Sequence, residues 1–372
     1  MKIIISGGGT GGHVFPAIAI ADAISKLRPG TEILFVGAKG KLEMEKVPKA
    51  GYPIEGLWIS GFQRSLTWRN LMFPIKLLHS AWRARQIVRR FRPDVAVGVG
   101  GYASGPVLNV AGSLGIPTVL QEQNSYPGIT NKLLAKKAAK ICVAYEGMGK
   151  FFPKEKIVLA GNPVRSEVFQ HLESKRPEGM AHFGLDPAKQ TIFVFGGSLG
   201  ARTLNEAMAN GANILTENPQ VQLLWQCGKF YHEQYQMSQT ASLPNVKILP
   251  FIDRMDLAYA AADVVIGRAG ALSISEMCLV GKPAILVPSP NVAEDHQTKN
   301  ALALVEKGAA RLVRDASAND ELLKTAFQVL NNMELQEQLS RNIKALAKAD
   351  AADTIAKVIL ELAANNEQRT TK

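Results

Sequence analysis

Ile3-Ile4-Ile5-Ser6-Gly7-Gly8-Gly9-Thr10-Gly11-Gly12-His13-Val14-Phe15-Pro16 decides how the chain is read. Three β-branched residues in succession predict a short, fully buried strand. The strand runs into a loop with five glycines in six residues, and the apolar stretch 17–24 beyond it predicts a helix. Glycines without Cβ atoms let the backbone approach a phosphate closely. The free N–H groups and positive dipole at the helix start point at the same place. The plainer alternative is a tight turn that binds nothing.

The same grammar recurs along the chain. Asp94-Val95-Ala96-Val97-Gly98-Val99-Gly100-Gly101-Tyr102-Ala103-Ser104-Gly105-Pro106 is a strand entering a glycine loop, and Pro117-Thr118-Val119-Leu120-Gln121-Glu122-Gln123-Asn124 is a strand ending in polar side chains. Residues 32–37, 141–144 and 157–160 read as further strands. Gly161-Asn162-Pro163-Val164-Arg165 is turn chemistry, and little apolar periodicity follows it before the pattern restarts. Thr191-Ile192-Phe193-Val194-Phe195-Gly196-Gly197-Ser198-Leu199-Gly200-Ala201-Arg202 echoes the opening stretch. Strands are expected at 222–227, 246–252, 262–266 and 283–288, with a helix opening at Ala271 and another at 294–297. This alternation predicts an α/β protein of two doubly wound, Rossmann-like domains facing across a cleft. Their expected spans are 1–162 and 163–345, with 346–372 as a C-terminal helix (350–364) and tail.

At 372 residues two domains are the natural expectation, and the 47% apolar, 20% charged composition is that of a globular protein. Three scattered cysteines, Cys142, Cys227 and Cys278, argue against a disulfide framework or a zinc site. No signal peptide and no apolar run long enough to cross a bilayer is visible. Charge is uneven. Residues 1–165 carry 23 basic and 9 acidic side chains, and the remainder 20 and 23, so the net +11 resides in the first half. An anionic partner surface is expected to meet that half.

The basic segment 68–92 holds seven Arg and Lys and no acidic residue. Pro74 suits the first turn of a helix. Phe73, Leu77, Ala81, Ala84, Val88 and Phe91 are spaced as a core-facing stripe. Leu71, Met72, Phe73, Ile75 and Trp82, with Lys76 among them, form an apolar patch framed by cations, the pattern of a segment that rests on an anionic membrane. A crossover helix with solvated charges is the alternative.

Several chemistries are excluded. Gly7, Gly9 and Gly12 satisfy G-x-G-x-x-G, but a dinucleotide fold needs an acid at the end of the second strand, where Gly37 and Ala38 stand, and Glu43 comes several residues late. The pattern G-x-x-x-x-G-K-[ST] is absent, as are H-E-x-x-H, C-x-x-C and an Asp-x-Asp pair to hold a metal on a diphosphate. Ligands of open α/β sheets sit beyond the carboxyl ends of strands, so His13, Tyr102, Glu122 and Asn124 are expected to gather there. A leaving diphosphate would be stabilised by helix N-termini, Ser198 and a cation such as Arg165. Glu276 is placed to accept two ribose hydroxyls, or simply to complement its helix dipole.

Six motifs occur in one order: Gly8 to His13, Gly100 to Pro106, Glu122 to Asn124, Gly161 to Arg165, Gly196 to Ala201, and Arg268 to Glu276. Together they resemble the family 28 glycosyltransferases of GT-B architecture that act on lipid-linked peptidoglycan precursors. The resemblance runs from Ile3 to about Leu304 and implies a metal-independent, inverting N-acetylglucosaminyltransferase without a cofactor. Its donor would be UDP-N-acetylglucosamine. Its acceptor would be the undecaprenyl-diphosphate-linked muramyl pentapeptide (lipid I), giving lipid II at the cytoplasmic face of the bacterial inner membrane. Nucleic acid is not among the implied partners.

By that resemblance the Ile252 backbone reads uracil, Glu276 holds the ribose, and Ser198 with Ala271, Leu272 and Ser273 holds the diphosphate. Gln297 takes sugar hydroxyls, and Arg165 the phosphate region. Gly9 to Gly12 and Gly101 to Ser104, Tyr102 included, take the acceptor diphosphate. Thr10, Gly11, Gly12 and Asn124 also border the donor. His13 is the candidate general base, with Asn124 positioning the acceptor; the alternative is that His13 orients a phosphate or caps the loop. Some relatives carry two glutamines where this chain has His296-Gln297.

Two rival readings follow. A UDP-N-acetylglucosamine 2-epimerase would share fold and donor but needs carboxylates to move a proton, and has no use for the basic apolar patch. A non-catalytic nucleotide-sugar-binding protein at a membrane would bind donor and release no UDP.

Overall fold

The computed structural model of the chain describes residues 1–60, 72–164, 169–197 and 199–370. Two units emerge: Met1–Val164 together with Ala349–Lys372, and Arg165–Lys348.

The first unit is a seven-stranded sheet in the order β3-β2-β1-β4-β5-β6-β7, with every pairing parallel. Its strands are β1 (Lys2–Ser6), β2 (Glu32–Ala38), β3 (Ile54–Leu57), β4 (Val95–Gly98), β5 (Thr118–Glu122), β6 (Lys140–Val143) and β7 (Ile157–Leu159). The strand period of two divides the opening isoleucines between two cores. Ile3 and Ile5 pack with α1 (Gly11–Leu27), while Ile4 faces the opposite layer. That layer contains α3 (Phe73–Phe91), α4 (Ser104–Ser113) and α5 (Ile129–Leu134); α2 (Glu43–Lys49) lies between β2 and β3. The C-terminal helix α10 (Ala351–Thr370) lies against α1 through Ile355, Ala356, Ile359 and Ala363. Asn366 Nδ2 donates to the carbonyl of Asp94 at 3.1 Å, and Glu367 meets the N-terminal ammonium at 3.4 Å.

One expectation for α3 is corrected. Its buried face is Ser80, Ala84, Ile87 and Val88, not a stripe through Phe73 and Leu77. The front half places few side chains over the sheet, so Leu77 stays exposed beside Leu78, Ile75 and Trp82. Ser80 donates instead to the Trp58 carbonyl at 3.0 Å, which fixes the rotation of the helix.

The second unit is a six-stranded parallel sheet in the order β10-β9-β8-β11-β12-β13. Its strands are β8 (Gln190–Phe195), β9 (Val221–Gln226), β10 (Val246–Leu249), β11 (Val264–Gly267), β12 (Ala284–Leu286) and β13 (Arg311–Leu312). Four of its helices frame the site: α6 (Arg202–Ala209), α7 (Met255–Ala261), α8 (Ala271–Val280) and α9 (His296–Val305). In both sheets the strand order reverses beside the first strand of the unit, β1 or β8. Such switch points open crevices at the carboxyl ends of strands.

Candidate functional site

In the first unit two glycine loops lie against each other at the carboxyl ends of β1 and β4. The N–H of Gly8 donates to the Gly100 carbonyl at 3.3 Å, and a Cβ on Gly101 would fall 2.3 Å from the Gly8 carbonyl oxygen. Gly100 and Gly101 both adopt positive φ, 93° and 84°, so glycine is required twice over. Thr10 is the extended N-cap of α1, and Gly11 and Gly12 form the first turn, where helix N–H groups lack intrahelical acceptors.

His13 lies on that turn with its ring over Gly100: a Cβ there would sit 2.8 Å from Cδ2 and Nε2. Its Nδ1 is 3.2 Å from Thr10 Oγ1. Ser104 is buried, its hydroxyl lying 2.8 Å from the Ser6 carbonyl and 2.9 Å from that of Gly100, so the side chain fastens the two strand ends. Tyr102 beside it is exposed.

The gathering expected of His13, Tyr102, Glu122 and Asn124 is corrected for Glu122, whose carboxyl turns inward. It accepts from the backbone N–H of Asn124 at 3.0 Å and of Gly128 at 3.1 Å, and from Asn131 Nδ2 at 2.8 Å. Burial pushes its pKa up against the opposing pull of these hydrogen bonds. Glu122 therefore shapes the loop that carries Asn124.

The second unit repeats the arrangement with different fittings. A Cβ on Gly200 would stand 2.1 Å from the Cys227 carbonyl oxygen, at φ 80°. Gln226 Nε2 donates to the Gly197 carbonyl at 3.0 Å. Arg268, after β11, donates to the carbonyls of Val287 and Pro288 at 3.1 and 3.3 Å and pairs with Asp315, tying the ends of neighbouring strands together. Ala271, Leu272 and Ser273 form the first turn of α8.

Glu276 follows one turn later. Part of its side chain reaches the surface, but the carboxyl is crowded deeply enough that burial pushes its pKa up to about 7. The Tyr259 hydroxyl donates to it at 3.3 Å and pulls in the opposite direction. Ile252 is buried at the start of the loop leading to α7.

Gln297, at the start of α9, accepts the Ser289 N–H at 2.9 Å. Glu294 and Asp295 just before it both hold left-handed backbone, φ 53° and 54°, an arrangement uncommon for residues with side chains. Lys299 Nζ donates to the Glu294 carbonyl at 2.8 Å across this turn. Arg165, Ser198 and Leu71 lie outside the described residues.

The apolar patch on α3 is exposed at Ile75 (53%), Leu78 (73%) and Trp82 (59%), with Met72 exposed and Phe73 half-buried. Lys76 is half-buried, donating to Ser60 Oγ at 3.1 Å and lying 5.6 Å from the Trp58 ring centroid. Trp58 and Leu78 join the patch although sequence reasoning left them out. No helix among the described residues is long and apolar enough to cross a membrane, and no three His, Cys, Asp or Glu among them are grouped to hold a metal ion.

Two parallel-sheet units with glycine loops at their strand ends give the chain the α/β architecture of the GT-B class, the fold of many nucleotide-sugar enzymes. Residues 3–143 match the glycosyltransferase family 28 N-terminal domain and residues 191–358 its C-terminal domain, and the chain belongs to that family. It is 56% identical, over 98% of its length and 96% of the relative's, to the UDP-N-acetylglucosamine–N-acetylmuramyl-(pentapeptide) pyrophosphoryl-undecaprenol N-acetylglucosamine transferase of Bacteroides fragilis. The crystal structure of MurG from Acinetobacter baumannii is similar with a TM-score of 0.79 at 30% identity, covering 97% of this chain and 99% of that one. A UDP-GlcNAc 2-epimerase from Neisseria meningitidis, bound to UDP-GlcNAc, reaches a TM-score of 0.68 at 13% identity, covering 97% and 100%; this likeness is one of fold alone.

Proposed function

We propose that the chain transfers N-acetylglucosamine from UDP-N-acetylglucosamine to the muramyl 4-hydroxyl of undecaprenyl-diphosphate-linked N-acetylmuramyl pentapeptide, with inversion and without a metal. The observation that carries this reading is the 56% identity, end to end, with a relative named for that transfer. The likeness to epimerases rests on fold and carries no chemistry.

In this reading the second unit holds the donor. Glu276 accepts the ribose hydroxyls, the Ile252 backbone reads the uracil edge, and the N–H groups of Ala271, Leu272 and Ser273 face the diphosphate, with Ser198 and Arg165 contributing. Aligned N–H groups at a helix start stabilise the charge that develops on the leaving UDP. Gln297 orients the sugar.

The first unit takes the acceptor diphosphate on Thr10 to Gly12 and on Gly101, Tyr102 and the backbone at Ser104, with Asn124 positioning the sugar. Gly9, expected to join them, is withdrawn because its N–H already donates to Glu43. His13 removes the proton of the attacking hydroxyl. When Thr10 Oγ1 accepts the Nδ1–H, Nε2 is the basic nitrogen. The patch of Met72, Phe73, Ile75, Lys76 and Trp82, with Leu71, rests on the anionic cytoplasmic face of the membrane that carries the acceptor.

The test is UDP release from UDP-N-acetylglucosamine with and without a short-chain lipid I analogue, in EDTA. Release that requires the acceptor and survives EDTA is expected. Donor binding without release sinks the transferase, and epimerisation without acceptor would put the rival in its place.

A further inference from the structure

Glu43 opens α2, yet its carboxyl serves the glycine loop rather than its own helix. Oε2 accepts the N–H of Gly9 at 2.8 Å, and Oε1 accepts the N–H of Ala38 at 2.9 Å. The side chain is 1% exposed. A Cβ on Gly8 would lie 2.2 Å from the Glu43 carboxyl carbon, and a Cβ on Gly37 would lie 2.4 Å from its Cγ. Glycine at 8 and 37 thus leaves the channel through which this side chain reaches the loop. The missing acid at the end of β2 is explained by the same contact. In a dinucleotide fold an acid there turns outward to a ribose. Here the acid arrives from α2 and turns inward, seated beneath the loop with a backbone N–H on each carboxyl oxygen.

We infer that Glu43 is a positioning residue for the transfer reaction, one that sets the acceptor-side loops and, through them, His13. This inference rests on the functional reading above, in which those loops hold the acceptor diphosphate. The mechanical path is short. Gly8 is wedged between the Glu43 carboxyl on one side and Gly100 and Gly101 on the other, and the His13 ring lies over Gly100. Occupying the Gly9 N–H with a fixed carboxylate leaves the Gly11 and Gly12 N–H groups, at the start of α1, to meet the substrate. Both carboxylate oxygens face backbone donors, so an amide fails where an acid succeeds: its NH2 would oppose one of the two N–H groups.

Two variants test this by separate routes. Glu43→Gln removes one acceptor, and Gly37→Ala displaces the side chain while keeping its charge. Each is assayed for UDP release against varied lipid I analogue and varied UDP-N-acetylglucosamine, alongside calorimetric UDP binding and thermal melting. The expected result is a loss of about tenfold or more in kcat/KM for the acceptor, as for misplaced reacting groups, with the donor KM and UDP affinity within about twofold of wild type. Wild-type kinetics in either variant overturns the inference alone. A loss in which donor KM and melting temperature move together with the acceptor terms also overturns it, since Glu43 is then only a fold residue. A wild-type chain that releases no UDP with any acceptor overturns the functional reading and takes this inference with it.

Discussion

The Tyr259 hydroxyl donates to Glu276 Oε2 at 3.3 Å from inside an aromatic cluster of Phe169, Phe193 and Phe195, whose ring centroids lie 5.6, 5.6 and 5.9 Å from its own. A carboxylate has lone pairs on both oxygens, so one held from behind by a phenol keeps acceptor capacity for a diol. The cluster prevents the phenol from turning away. Donor recognition, in the function proposed above, depends on this pair.

The first consequence concerns pH. Burial holds the Glu276 pKa at about 7, and only the ionised carboxyl accepts two ribose hydroxyls. UDP affinity is therefore expected to rise with pH through 7 and to level off above it. Below 7 the affinity falls to a plateau set by the uracil and diphosphate contacts that remain. Stability of the unliganded fold runs the other way. A carboxyl harder to ionise in the folded than in the unfolded state contributes stability that is complete below its unfolded value and is lost as pH rises through about 7. Isothermal titration with UDP checks the first point, and melting of wild type against Glu276→Gln from acid to neutral pH checks the second. A pH-independent UDP affinity refutes the assignment of Glu276 to the ribose.

Tyr259→Phe keeps the ring packing and removes the hydrogen bond. With that bond gone the Glu276 pKa rises further, so the acid limb of UDP affinity shifts to higher pH. At pH 7 the affinity is expected to fall about fivefold, the worth of one ordinary hydrogen bond. The melting temperature should change little. The discriminating readout is 2′-deoxy-UDP: if Tyr259 acts through Glu276, the variant loses less affinity for the deoxy ligand than for UDP. Equal losses for both ligands would mean the phenol supports the site in some other way.

Much of this was legible because parallel strands buried on both faces show up as apolar runs. Ile3-Ile4-Ile5 and the 191–195 stretch needed no further context, and the glycine loops marked the strand ends. The edge strands β3 and β13 were not legible. Ile54-Glu55-Gly56-Leu57 is mostly half-buried and carries no apolar run, and β13 is two residues long. Side-chain direction was also hidden. Glu122 reads as a polar end of a strand, and nothing local says that Gly128 and Asn131 turn it inward. Glu43 meets Gly9 across 34 residues, and Tyr259 sits in a helix whose neighbours are buried alanines and a leucine. Such contacts follow from sheet order, which the sequence shows only as alternation.

The α3 surface offers a prediction independent of the donor site. Ile75, Leu78 and Trp82 leave apolar area in water beside Arg85 and Arg89, and a single such helix face binds an anionic interface through both terms. Ile75→Glu with Leu78→Glu is expected to abolish sedimentation with vesicles rich in anionic phospholipid, and raised salt should weaken wild-type binding. Vesicles of neutral lipid should retain the protein poorly. Full retention of the double variant on anionic vesicles would remove α3 from the membrane contact.

His13 carries the remaining prediction, and Thr10 sharpens it. The 3.2 Å contact between Thr10 Oγ1 and His13 Nδ1 allows two tautomers, of which only the one with Nδ1–H donating leaves Nε2 basic. If His13 is the base, as proposed above, His13→Ala should lower kcat by about a hundredfold or more with UDP affinity unchanged, since in that proposal the first unit takes the acceptor. Thr10→Val deletes the oxygen that selects the tautomer and keeps the side-chain shape. Its kcat should fall less, by about fivefold to tenfold, the worth of one hydrogen bond, and its pH–rate profile should shift on the basic group. If His13 only steers a phosphate, His13→Ala raises the acceptor KM, leaves kcat within about tenfold, and Thr10→Val leaves the pH profile where it was. The two variants together therefore separate a base from an anchor by two independent readouts, kcat against acceptor KM in one and the pH profile in the other.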